Sequence, residues 1–588
     1  MRLIIDTPIK LVLAILSLVR LRRRRKIRWR RVARQTTILL ACAGLVGCDT
    51  IPGVSDENPI KKGKVGFVQG FYGGVAADEP HAVLVGRDVL AAGGSAADAA
   101  VAMYFMMSVT YPSAASLGGG GLCLTRDAKT GKVETLDFLG QTSSGAGGVP
   151  VNVPGNPRGF FALQAKYGSL EWREIIRPAE NAARFGVQVS RAFAREIAAA
   201  GPSFAGTSGG RLMALQNGGR LHIEGDTIIQ PDLGAVLAML RSRGAGAIYT
   251  GPYARRMVAA AQESGAALTY ADLQALRPLW RSAIEVLLDV KTSVYLPLPR
   301  TPAGTMAAKA LAATLDNGRF QKADDGLRAH LLAETIQRAL VDGARGFKTV
   351  KPKNRIGYGA QGFKTVAPEN SEPRVRLPSE YTNDLMESFL EDRVVQLAVP
   401  TSLPSVGSSG QGQTSFIAVD RFGGAVACFV TMNNRFGVQR AMRGTGIIMA
   451  SPPTSTVARD MSAGLLLVSQ RDRNVFYMAG SASGGIVGQA AIMQVALRAG
   501  GGTPDDMDAA IRSKRLFRDP SRAVTYVEDG MPMTVLNGLR SRGHQLQSLP
   551  SLGRVNLIFC VTGLPSKNPT CGVRSDPRGF GLGSSPAS

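Results

Sequence analysis

Histidine, cysteine and charged residues are all scarce in this chain of 588 residues. Only four histidines occur, His81, His222, His330 and His544, and none stands in a metal-ligand spacing. With no C-x-x-C and no H-E-x-x-H, no metal and no dedicated zinc site is expected. Charged residues make up 19%, too few for a coiled-coil rod. Aromatics are 6%, with no RNP-like aromatic motif, no zinc-finger spacing and no basic-zipper heptads, so no nucleic-acid partner is expected. What is abundant is apolar: 45% hydrophobic residues over this length exclude a disordered chain and allow a large core. The 69 glycines follow no G-x-y period, which excludes collagen.

The net charge of +25 is unevenly spread. Residues 1–35 carry twelve Lys or Arg against Asp6 alone, and the run Arg22-Arg23-Arg24-Arg25-Lys26 stands beside an apolar segment. That order favours an anionic membrane surface as the partner of the basic block. After it, Thr36 to Cys48 is uncharged and ends in small residues, too short for a spanning helix of about twenty. Leu45-Val46-Gly47-Cys48 resembles the lipobox of bacterial lipoprotein signal peptides. The resemblance implies that Cys48 is lipidated and becomes the first mature residue, with residues 1–48 a signal region and the protein anchored on the periplasmic side of a membrane. Asp49 then favours the inner membrane. An ordinary signal peptide with an incidental Cys48 is the alternative, and the second apolar run, Leu11 to Val19, leaves the true start open.

Four cysteines remain downstream, Cys123, Cys428, Cys560 and Cys571. Cys560 and Cys571 flank a turn between two apparent strands, so a disulfide closing that hairpin suits an oxidising periplasm; two free thiols are the other reading.

Along the mature chain, Pro80 to Met107 reads as helix, with a small-residue face after Ser95 and Asp98 among alanines. Residues 150–345 are mostly helical in period, including Trp172–Phe185 and Arg328–Ala344. Ser402 to Gln413 is a low-complexity linker without an apolar face. Two strands follow directly, Thr414–Val419 and Gly424–Thr431, then further strands near Leu465–Ser469 and Val475–Met478 and a helix about Gly488–Arg498. Interleaved sheet and helix layers in α/β style are expected.

A Thr at the head of a buried strand, behind a loop that can be cut, is the layout of a self-processing enzyme. Cleavage frees its α-amine, and that amine serves as general base for its own hydroxyl, so no histidine is needed. Threonine is also simply common in strands. The surrounding motifs bear on that choice. Ala92 to Ala100, Gly118 to Gly121, Val153-Pro154-Gly155, Gln230-Pro231-Asp232-Leu233, Thr414 to Asp420, Thr431 to Gly437, Gly444 to Met449, Gly480 to Gly485 and Ser575-Asp576-Pro577-Arg578 occur in the order of the γ-glutamyltranspeptidase family. The chain resembles that family of N-terminal-nucleophile hydrolases over most of residues 66–583.

The resemblance implies an α/β fold, a four-layer αββα sandwich, cut into a large part, 49–413, and a small part, 414–588, that stay associated. It implies Thr414 as nucleophile, Thr431 tuning its hydroxyl, Asn433 holding substrate, and the Gly484 and Gly485 amides as oxyanion hole. It calls for no cofactor. The expected substrate is a small γ-glutamyl or related amide or peptide, its acyl group passing to water or an amine.

Departures from the family pattern matter as much. An ungapped count puts Gln413, which has no hydroxyl, on the nucleophile's place; a contraction of one residue restores Thr414, where the linker ends. In place of the arginine that grips the glutamyl carboxylate stands Leu139, which cannot make that bidentate contact. Ala450-Ser451-Pro452-Pro453 replaces an acidic pair, and Arg459 and Asp460 replace paired serines. An acylase of different specificity and a catalytically inactive, membrane-tethered binding protein are therefore the rival readings. Gly206 to Gly210 fits G-x-S-x-G but has no strand before it, so no nucleophile elbow is expected there.

Overall fold

The computed structural model describes residues 67–69 and 71–586, apart from 215–218, 289–290, 299–304, 346–363, 367–373, 377–378, 400–402, 404–410, 454–463, 471–473 and 500–503. Cys48, the lipobox, most of the linker, Arg459 and Asp460 lie outside the described residues.

Three apolar cores define four layers. Among the described residues, one sheet has seven strands in the order 582–584, 73–77, 413–420, 425–431, 120–126, 133–137 and 279–282, every neighbouring pair antiparallel. A second sheet of nine strands has at its centre Arg554–Leu564, Phe476–Ser483, Gly464–Gln470 and Thr292–Leu296. Ile417, Val419, Ala427 and Phe429 of the first sheet meet Leu467, Ala479 and Ile558 of the second in a core between the sheets. On the outer face of the first sheet, Phe416, Ala418, Val426 and Val430 pack on helices Pro80–Ala91, Ala96–Thr110 and Asn156–Tyr167. On the outer face of the second, Val468, Met478 and Ala482 pack on helices Met306–Leu315, Asp325–Arg345 and Gly485–Ala499. Period-2 alternation explains how one strand serves two cores. Helix, sheet, sheet and helix thus stack as the expected αββα sandwich.

Local rules place the elements. The expected single helix from Pro80 breaks into two, because Ser95 starts a new one. Its hydroxyl accepts from the Asp98 amide at 3.2 Å while the Asp98 carboxylate accepts from the Ser95 amide at 3.0 Å, a reciprocal capping box. That explains Asp98 among alanines. The helix it opens, Ala96–Thr110, is buried all round between the sheet and the outer helices. Among the described residues no helix is long and apolar enough to cross a membrane.

Both cysteine pairs are bonded. Cys560 joins Cys571 across the neighbouring strands that carry them. Cys123 joins Cys428, a pairing the spacing of 305 residues hid, because the strands Gly120–Arg126 and Ala425–Thr431 place the two directly opposite each other.

Candidate active site

Strand register decides which side chain reaches which face. In the strand Gln413–Asp420, Phe416 and Ala418 point to the helix side and Ile417 and Val419 to the gap between the sheets. Alternation then turns Thr414 to the helix side, and Gln413 and Ser415 to the inter-sheet side. Gln413 pairs with Thr431 in the neighbouring strand. Across the gap, the Gly485 amide donates to Gln413 Oε1 at 3.0 Å, and Asn556 Nδ2 donates to the Ser415 carbonyl at 3.2 Å. The expected meeting of Thr414 with the Gly484 and Gly485 amides is thus not what the intact chain shows. Gln413 stands there instead, which is the ungapped register. The physical reason is the period of the strand: a shift of one residue exchanges the faces.

Thr414 has a different neighbour. It is fully buried, and its Oγ1 donates to Asp78 Oδ2 at 3.2 Å. Asp78 follows the strand Gly73–Ala77 and also accepts from Asn556 Nδ2 at 3.1 Å. Arg554 Nη2 lies 4.0 Å from it, and Arg554 Nε donates to Ser483 Oγ at 3.2 Å. Burial works to lower the Arg554 pKa, but Asp78, Tyr111 and Glu196 outweigh it and hold the guanidinium above the ordinary arginine value.

The other expected residues gather around Gln413. Thr431 Oγ1 donates to the Gly412 carbonyl at 3.3 Å and accepts from the Asn433 amide at 2.8 Å. Gly412 has a φ of +70°, and a Cβ there would lie 2.2 Å from the Asn434 carbonyl oxygen, so the turn that presents residue 413 needs glycine. Asn433 is itself left-handed at φ +66°, a conformation asparagine tolerates. Its Nδ2 donates to the Ser451 carbonyl at 2.6 Å, and its buried Oδ1 has no partner among the described residues. Gly484, at φ +117°, and Gly485, at φ +60°, make the turn at which the helix Gly485–Ala499 begins. Amides at the start of a 15-residue helix, on its positive end, suit a developing oxyanion.

A pocket of about 310 Å³ opens beside Gly484, with Arg195, Glu196, Arg435, Ser483 and Arg554 in its wall. Arg435 Nε donates to Glu196 Oε2 at 2.7 Å. Leu139 is buried, so the family's arginine place offers no cation. Sequence reasoning missed Asp78, Asn556 and Arg554. Asp78 lies 336 residues from Thr414, Asn556 lies 141 from Ser415, and Arg554 reaches the site through Asp78 and Ser483, so no local pattern marks them.

The remaining candidates resolve simply. Thr207 caps the short helix Ser208–Leu212, and Ser208 Oγ accepts from the Ala441 amide at 3.0 Å, so the G-x-S-x-G match is a cap and not an elbow. His330, Glu334 and His544 lie close enough to hold a metal ion. Each imidazole nitrogen there is already engaged: His330 with the Leu390 carbonyl at 2.8 Å and with His544 at 2.7 Å, and His544 with Thr525 at 2.8 Å.

This site sits in a chain that matches the family model described as Gamma-glutamyltranspeptidase over residues 82–584. The chain belongs to the gamma-glutamyltranspeptidase family. Among its relatives, a glutathione hydrolase proenzyme of Bacillus subtilis (strain 168) is 25% identical over 535 residues, spanning 83% of this chain and 87% of that one. Another glutathione hydrolase proenzyme, of Pseudomonas aeruginosa, is 27% identical over 407 residues, 64% of this chain and 67% of the relative. The crystal structure of a cephalosporin acylase from Bacillus halodurans overlays with a TM-score of 0.69 at 20% identity, covering 90% of this chain and 99% of the other, which shows a shared fold. Membership in the gamma-glutamyltranspeptidase family makes this an enzyme of the γ-glutamyltransferase and amide-hydrolase type.

Proposed function

We propose that the chain is made as a precursor, cut between Gln413 and Thr414, and that Thr414 then cleaves a γ-glutamyl or related small amide. The observation that carries this reading is the buried Thr414 hydroxyl donating to Asp78 at the head of its strand. In the cut, Thr414 Oγ attacks the Gln413 carbonyl carbon, the C–N bond to Thr414 breaks, and its nitrogen takes up the proton that Asp78 accepts from the hydroxyl. Water then releases Gln413 as the carboxyl end of the large part. The freed α-amine becomes the base for the next attack, on the substrate amide. That attack forms a Thr414 ester and expels the amine, and water or another amine takes the acyl group. Departure of Gln413 frees the Gly485 amide and the end of the strand, so that Thr414, now the first residue, turns to the inter-sheet side where Gly484 and Gly485 serve the oxyanion. Thr431 holds the turn at residue 412, and the unpartnered Asn433 Oδ1 receives a donor of the substrate.

Parts 49–413 and 414–588 remain one folded body in this reading, because strand 413–420 lies between strands 73–77 and 425–431. Anchoring through Cys48 on the periplasmic face belongs to the same proposal. The order of residues 22–48 supports it, and so do two disulfides, which suit an oxidising compartment. Labelling with radioactive palmitate in cells tests it: the label is expected in the wild type and absent from Cys48→Ala.

A second reading, an intact binding protein, is favoured by one contact: Gln413 Oε1 already accepts from Gly485, as the carbonyl oxygen of a bound amide would. Mass spectrometry of purified protein separates the two. A fragment beginning at Thr414, absent from Thr414→Ala, supports the enzyme; an intact chain after long incubation supports the binding protein. Leu139 bears on the acyl group, and comparing glutathione with apolar acyl amides as substrates checks which is taken.

A further inference from the structure

A second cavity, of about 860 Å³, lies in the helix layer outside the nine-stranded sheet and shares no lining residue with the pocket beside Gly484. It is walled by the helices Met306–Leu315, Asp325–Arg345, Gly485–Ala499, Pro504–Arg512 and Met533–Arg540. Its floor is apolar, with Leu315, Phe320, Leu332, Leu497, Met531 and Val535. Four of these, Leu315, Phe320, Leu497 and Val535, are only half-buried, so apolar area is left facing the space.

Charge over this floor is one-sided. Asp325 is the only acid among the described lining residues, and it is paired with Arg328 at 3.4 Å. Arg328 also gives its other donors to the Phe320 and Gln321 carbonyls. Arg498, Arg512 and Lys514 have no hydrogen bond or ion pair to a described residue. Arg498 and Arg512 stand in the last turns of their helices, where a cation suits the helix dipole. The dipole accounts neither for Lys514 nor for the apolar residues that share the lining with all three. Arg498 and Arg512 are exposed and Lys514 is half-buried, so an anion from solvent can reach all three.

We propose that this cavity binds a free single-chain anionic amphiphile, with its acyl chain on the Leu315–Val535 floor and its carboxylate among Arg498, Arg512 and Lys514. The volume falls within the range of small-molecule pockets, and an apolar lining with a few convergent charges is their usual composition. Neither Gln413 nor Thr414 is in its lining.

Isothermal titration of the full chain with decanoate below its critical micelle concentration tests the proposal. One saturable site is expected, with acetate (the head alone) and octyl glucoside (an uncharged amphiphile) each at least tenfold weaker. Arg512→Glu with Lys514→Glu should weaken decanoate tenfold or more, and Val535→Trp, which fills the floor, should do the same. Lys567→Glu, a charge reversal outside the cavity, should leave it unchanged. No saturable decanoate binding, equal affinity in both cavity variants, acetate binding as tight as decanoate, or binding to anionic vesicles without binding of free decanoate would each overturn the assignment.

Discussion

Residue 413 and residue 414 are one position apart and face opposite layers, and that single step governs the chemistry. Gln413 offers a carboxamide to the Gly485 amide; Thr414 offers a hydroxyl to Asp78. If Asp78 takes the Thr414 proton, Asp78→Asn should slow appearance of the fragment starting at Thr414 at least tenfold, read on a denaturing gel over time. A fold change confined to Thr414→Ala would leave Asp78 without that part. Gly484→Ala bears on the other half of the site. At φ +117° any side chain is strained, and the new Cβ would sit 3.2 Å from the Gly553 Cα, so about 1–3 kcal/mol of stability should be lost on urea unfolding.

At the scale of elements, the helix Asp325–Arg345 is tied to the segment after Arg540 by a buried imidazole pair. Three hydrogen bonds run in one direction: His330 donates to the Leu390 carbonyl and accepts from His544, which accepts from the Thr525 hydroxyl. That chain requires both rings neutral. Burial, and then the His330 ring beside it, push His544 down to about 3, and burial lowers His330 as well. Folded values below the unfolded one mean that this contribution is complete above about pH 6.5 and fades as pH falls toward 3. Melting temperature should therefore drop between pH 7 and pH 5, and the drop should be smaller in His544→Gln, measured by circular dichroism. Nothing in the sequence announced the pair: the two residues are 214 apart, and each reads locally as an ordinary half-apolar position.

For the whole molecule, the disulfide Cys123–Cys428 has a larger consequence than its place in the sheet suggests. One cysteine lies before the proposed cut and the other after it, in directly opposed residues of adjacent strands. A chain cut at 413–414 should therefore run as one band on a non-reducing denaturing gel and as two when reduced. Two bands without reductant would show the thiols unpaired, and one band under both conditions would show the chain uncut. Cys123→Ser with Cys428→Ser should release the fragments from each other in denaturant and lower the unfolding free energy by about 2–5 kcal/mol.

Much of this architecture is legible in the sequence. Helix Trp172–Phe185 has the bounds its period gave, and the strands after the linker lie where alternation put them. Local periodicity and caps are short-range properties, carried by residues within one or two turns of each other, and they were enough for interleaved sheet and helix layers; the family and its four-layer sandwich came from the resemblance of motifs ordered along the chain. Face and company were not readable that way. Whether Gln413 or Thr414 meets the Gly485 amide depends on the register between strands, and the partners Asp78, Asn556, Cys123 and His544 arrive from hundreds of residues away. Contacts of that span carry no local signature, because they exist only once the two sheets have closed on each other.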